Sequence, residues 1–219
     1  FNYEINLGVY SIIFTIICVI GLTNAINFID GVDGLSSSIA LVSLFSIGFY
    51  SYMESNLENH VFILFLFISL IIFIFSNLNF LLPKSFLGDS GSMLIGYLIA
   101  WFLIYYSHPN NNYFDPVLCV WTVTLPVFDL LSVFIRRVYK KTNPFKPDRR
   151  HIHHLLISYG LSHKMVLFII VSFSLLSSLF GYLVFKVYGS TASLFMFFIL
   201  LLIYLLTVIL FGRGIKKFI

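Results

Sequence analysis

Charge is the scarcest property of this sequence. Asp, Glu, Lys and Arg make up 10% of its 219 residues, against 59% hydrophobic residues and a mean hydropathy of +0.98. A soluble domain of this length cannot hide so much apolar surface, which excludes a water-soluble globule and makes lipid part of the solvent. Cysteine is nearly absent: Cys18 and Cys119 both fall within apolar stretches, which argues against a disulfide, a metal pair or a thiol nucleophile. No basic n-region or cleavage site marks a signal peptide, and the chain opens on Phe1 rather than Met, so it reads as a piece of a longer protein. Internal repeats and a disordered tail are also missing. The net charge of +4 is no nucleic-acid signal, because the cations stand at the ends of apolar runs.

Those runs set the fold class. Seven apolar segments are long enough to cross a bilayer, whose core of about 30 Å takes roughly 20 helical residues. They lie near Leu7 to Phe28, Ser36 to Met53, Val61 to Leu81, Ser92 to Ser107, Pro116 to Ile135, Met165 to Phe185 and Ala192 to Phe211. The expected architecture is all-α, a polytopic membrane helix bundle forming a single domain over 1–219. The second and fourth spans read as short, calling for tilt or burial within the bundle. Counting alternately from the basic loop 136–164, twelve Lys and Arg fall on one side and Lys186 alone on the other. That asymmetry puts the loop in the cytoplasm and the amino end outside. Asp30, Asp33, Asp89 and Asp148 then lie in cytoplasmic loops and Asp129 near a cytoplasmic helix end, so chemistry belongs on the inner face.

Three polar constellations stand out there. Asn24, Asn27, Asp30 and Asp33 recur every third residue, and Gly31 and Gly34 free the backbone to turn the carboxylates into a cavity. A helix cap with Asx turns is the plainer reading, but two acids and two amides exceed what one turn needs. Leu87-Gly88-Asp89-Ser90-Gly91-Ser92 precedes an apolar helix that Ser90 or Ser92 would cap. There Asp89 either belongs to an ordinary capped turn or holds Mg²⁺ or Mn²⁺ against phosphate oxygens. Lys84 nearby suits a phosphate contact or an inner-side anchor.

The third constellation ends in Asp148-Arg149-Arg150-His151-Ile152-His153-His154. On a helix His151 and His154 would share a face while His153 diverges, which speaks against one zinc site. Phosphate handling and a solvated juxtamembrane cluster both remain open. Asp129, after Pro126 and two turns before Arg136 and Arg137, suits an arginine pair, a loop contact or a place in the cavity.

Taken together, Asn24 to Leu35, Gly88 to Ser92, Pro126 to Asp129 and Pro147 to His154 resemble the successive cytoplasmic motifs of bacterial polyprenyl-phosphate N-acetylhexosamine-1-phosphate transferases. The His-Ile-His-His ending resembles the branch that opens O-antigen, enterobacterial common antigen or teichoic acid linkage synthesis, rather than the peptidoglycan branch. The resemblance implies a ten- or eleven-helix enzyme of a bacterial cytoplasmic membrane with its cleft facing the cytoplasm. It would move N-acetylglucosamine 1-phosphate, or a related N-acetylhexosamine 1-phosphate, from a UDP-sugar to undecaprenyl phosphate. It implies Asp89 as the ligand of Mg²⁺, with Mn²⁺ as an alternative, and Asp30, Asp33, His151, His153 and His154 as further candidate catalytic residues. Asn24, Asn27, Lys84, Arg149 and Arg150 would contact substrate, and a homodimer is a further expectation. Against the family pattern, the sequence has no adjacent Asp-Asp pair, which members carry on an earlier loop. That absence fits a carboxyl-terminal piece, inactive alone. A transporter or a non-catalytic scaffold is the rival class, and for transport the acids sit at the rim instead of the midplane.

Overall fold

The computed structural model describes residues 8–55, 60–111, 113–143 and 151–215. All regular structure among them is helical: α1 Tyr10–Ile29, α2 Leu35–Ser55, α3 Val61–Asn77, α4 Gly88–Ser107, α5 Val117–Thr122, α6 Thr124–Tyr139, α7 Ile152–Ser158 and α8 His163–Ile215. Four helices are long and apolar enough to cross a membrane: α1, α2, α4 and α8. The chain is a multi-pass membrane protein.

The longest of these is two spans. Gly189 has φ 81° and ψ 179°, a conformation open to glycine, and the chain reverses there. The Ser193 hydroxyl donates to the Gly181 carbonyl at 3.3 Å, and the Phe173 and Tyr204 rings lie 6.1 Å apart. In a straight helix residues 173 and 204 would be separated by about 45 Å. The two arms of α8 therefore correspond to the last two expected spans.

Three boundaries differ from the expectation. The second and fourth spans are full length, since α2 runs Leu35–Ser55 and α4 begins at Gly88 instead of Ser92. The third stops at Asn77, because Asn79 and Leu81 take positive φ and turn the apolar stretch that follows out of the helix. The fifth is broken at Val123 (φ −114°, ψ 26°) into α5 and α6. Pro126 explains the break: it has no N–H and its ring would strike the carbonyl four residues back, that of Thr122. That carbonyl instead receives the Ser43 hydroxyl at 3.3 Å, so the acceptor freed by the proline is satisfied within the bundle.

The core centres on α2, whose Leu35, Ile39, Ala40, Leu44, Ile47 and Tyr50 are almost fully buried. It packs against α1, α3, α4, α5 and α8. Buried hydroxyls join the helices where apolar contact gives no selectivity against lipid: Ser46 to Ser178 at 2.6 Å, Tyr50 to Ser178 at 2.7 Å and the Trp121 indole N–H to Ser193 at 2.9 Å. The α1–α4 contact is close enough that a Cβ on Gly96 would lie 2.9 Å from the Thr23 Cα. The outer faces of α1 and α3 expose Ile13, Ile16, Ile17, Phe62, Phe65 and Ile68, as lipid contact requires. At the end of α2 far from Leu35, Lys186 pairs with Glu54 at 2.8 Å and Tyr182 donates to the same carboxylate at 3.0 Å. The sole cation assigned to the opposite side is thus bound at that rim.

Candidate active site

The candidate residues gather at the Leu35 end of α2. Asn27 lies in the last turn of α1, and its side-chain oxygen accepts the Ser92 hydroxyl at 2.6 Å, tying α1 to the first turns of α4. Ser92 is therefore a bridge between helices; α4 has no side-chain cap from Ser90 or Ser92. Asn24 turns back on its own helix, donating to the Ile20 carbonyl at 2.9 Å.

Asp30 closes α1 and accepts the Ser36 hydroxyl at 2.7 Å. Desolvation among the packed helix ends raises its carboxyl pKa above 3.8; the Ser36 bond opposes this, and the charges of Asp89 and Asp33 add to it. Asp33 pairs with Lys84 at 2.7 Å, both about half exposed. Buried Asn77, which the spacing gave no reason to choose, holds that corner: its oxygen accepts the Gly34 N–H and its amide donates to the Ser85 carbonyl at 2.8 Å. The one available signal was an amide at the end of an otherwise apolar helix.

Asp89 was expected in a loop ahead of the helix; it lies inside the first turn of α4, exposed. Among the described residues its carboxylate makes no hydrogen bond or ion pair. Its charge nevertheless reaches Asp30, so two hard oxygen donors border one region. No cluster of three His, Cys, Asp or Glu fit to cage a metal occurs among the described residues. One or two carboxylates suit Mg²⁺, which keeps several waters and shares its coordination with substrate phosphates. Carboxylates such as Asp89 and Asp30 are the kind of donor that would fit such an ion.

The histidine segment reaches the same end. His151 is the extended residue before α7 (φ −67°, ψ 157°), so it shares no helix face with His154. Its ring stacks nearly parallel to that of His153, 7° apart at 6.1 Å, and the His153 and His154 rings are 4.1 Å apart. The three rings run on from one another, where the helical spacing had set His153 apart. His151 also packs on Phe28 of α1 at 5.4 Å and pairs with Asp129 at 2.7 Å. Asp129 thus binds a histidine, the first of the segment. Arg149 and Arg150 lie outside the described residues.

His153 is fully buried, and neither ring nitrogen has a partner among the described residues. Its Nε2 abuts Gly31, where a Cβ would come within 2.3 Å. Burial, chiefly, and the neighbouring His154 push its pKa down to about 4; Asp129 opposes this and His151 adds to it. Neutral His153 offers one N–H donor and one bare nitrogen. The unfolded chain takes up this proton near the ordinary 6.5 and the folded one only near 4. The stability tied to His153 is therefore complete above about pH 6.5 and drains as pH falls towards about 4. In purified protein, His153→Gln should flatten the fall in melting temperature across that window. An unchanged slope would mean that His153 titrates normally.

Residues 1–107 match the family described as glycosyl transferase family 4. The chain is 30% identical over 217 residues to the undecaprenyl-phosphate alpha-N-acetylglucosaminyl 1-phosphate transferase of Yersinia pestis, covering 98% of this chain and 58% of that protein. Proteins of the same name from Haemophilus influenzae and Escherichia coli K12 are 31% and 28% identical over 94% and 99% of the chain. The chain spans somewhat under three fifths of the length of these relatives.

Proposed function

We propose that the protein transfers N-acetylglucosamine 1-phosphate from its UDP-sugar to undecaprenyl phosphate, releasing UMP, at a site facing the cytoplasm of a bacterial inner membrane. The relatives' names motivate the donor sugar and the acceptor. The observation that carries the reading is the seating of His153 against Gly31, which closes the histidine segment onto the acidic turn after α1. Acids and imidazoles from distant parts of the chain thereby border one region at one end of the bundle. The charge asymmetry of twelve cations against one supports an inward-facing position for that end.

Mg²⁺, when bound, supplies neutralisation of the diphosphate charge. The chain's own work is alignment and electrostatics, which dominate phosphoryl transfer. Asp89 contributes the carboxylate for the ion, and Asp30 a second negative group beside it. Lys84, paired with Asp33, offers a cation at the rim for a phosphate. His151, His153 and His154 serve as donors that orient phosphate oxygens, and a phosphate acceptor oxygen is already anionic near neutral pH, so it needs little general-base help. Asn24 and Asn27 support the wall of the nucleotide side, and Arg149 and Arg150 hold phosphate or sugar groups.

The test is Mg²⁺-dependent UMP release by the complete protein in membranes, from UDP-N-acetylglucosamine with and without undecaprenyl phosphate. Lipid-dependent release is expected. Folded protein inactive with every UDP-N-acetylhexosamine overturns the transferase reading.

A further inference from the structure

Asp129 is an acid in an apolar helix with 1% of its surface exposed. A carboxylate so placed is costly unless several donors satisfy it. Three do, from two other elements. The His151 Nδ1–H donates to Oδ2 at 2.7 Å, the Ile152 N–H to Oδ1 at 2.9 Å and the Tyr204 hydroxyl to Oδ1 at 3.4 Å. The helix α7 has no side-chain cap from its own N-cap residue, His151, so Asp129 takes that role from α6 while also gripping the His151 ring.

We propose that Asp129 is the positioning residue of the histidine segment, a role that rests on the transferase reading. A carboxylate only accepts, so His151 Nδ1 carries a proton and Nε2 is the atom left for substrate, where it donates to a phosphate oxygen when it carries the ring's second proton. Phe28 and His153 both pack against the ring, so its orientation is set by Asp129 along one edge and by these two neighbours. Tyr204, on the second arm of α8, steadies the carboxylate from the opposite helix. One buried acid thus joins α6, the start of α7 and α8 at the point where the histidines begin.

Asp129→Asn keeps the size and one acceptor but faces an NH₂ group towards a donor. Either His151 changes tautomer or the Ile152 N–H loses its partner. In the complete protein kcat should fall by about 100-fold, the cost of a misplaced catalytic group, with KM for both substrates little changed. Introduced into His151→Gln, the same substitution should cost nothing further, because Asp129 acts through His151. A merely structural role would multiply the two losses, and that outcome, or wild-type turnover in Asp129→Asn, overturns the assignment. If Asp129→Asn fails to accumulate, the same cycle with Tyr204→Phe decides. That variant leaves both bonds to the histidine segment, so a several-fold loss is expected that vanishes in His151→Gln; a loss that persists there overturns the role. Inactive wild type in the same assay sinks the transferase itself, whereas active wild type with multiplicative losses sinks only Asp129.

Discussion

Asp89→Asn should lower Mg²⁺-dependent turnover of the complete protein by about 10³-fold, the upper range for removing one preorganised charge-stabilising group. The fold should not notice. Asp89 is exposed on the first turn of α4, and no described residue depends on its carboxylate; the helix is held at that end by Ser92 on Asn27. The loss of a negative charge from a helix N-terminus costs only about 0.3–1 kcal/mol. Melting temperature should therefore stay close to wild type while UMP release collapses, and higher Mg²⁺ should restore part of it if Asp30 retains some hold on the ion. The chemical reason is the contrast between the two acids. Asp30 is already engaged by Ser36, whereas the Asp89 carboxylate has no hydrogen-bond or ion-pair partner among the described residues. Unchanged turnover in Asp89→Asn would remove Asp89 from the metal site.

The bundle was legible in the sequence because each apolar run matches the bilayer in length, and hydropathy reports that length directly. Its errors fall where local backbone physics interrupts a run without changing its polarity. Leu78 to Leu82 is apolar enough to extend α3, yet positive φ at Asn79 and Leu81 turns the chain away. Pro126 splits the fifth span through a clash with a carbonyl four residues earlier, an effect that no hydropathy window contains. Asp89 looked like a loop residue because its glycine neighbours permit a turn, but they also permit the helix that forms. The site was legible as a set of residue types near one side of the membrane. Its pairings were not: Asp129 with His151, Asn77 with Gly34 and His153 with Gly31 each join segments that only the packing of α1, α3, α6 and α7 brings together. A three-residue spacing announces a stripe along a helix, but it carries no information about which distant ring will lie against it.

Gly31→Ala tests that last pairing most directly. Gly31 does not take a positive φ, so alanine's backbone preferences raise no objection and only space opposes it. The added carbon would lie 2.3 Å from His153 Nε2, 3.0 Å from Cδ2 and 3.1 Å from Cε1, so the whole leading edge of the ring must retreat by roughly 1 Å to reach ordinary contact. Retreat is hindered, because His153 is fully buried and its ring is lined up between those of His151 and His154. On the proposed role of His153 in orienting the reacting phosphate, a displacement of that size should reduce kcat by about 100-fold. Overpacking should also destabilise the protein by about 1–3 kcal/mol, read as a lower melting temperature. The two effects separate in the double variant with His153→Ala. Removing the ring relieves the crowding, so stability should recover relative to Gly31→Ala alone, while activity stays low because the imidazole is gone. Gly31→Ala with wild-type turnover and melting temperature would mean that the histidine segment does not rest on the acidic turn, and the convergence on which the site is built would fail.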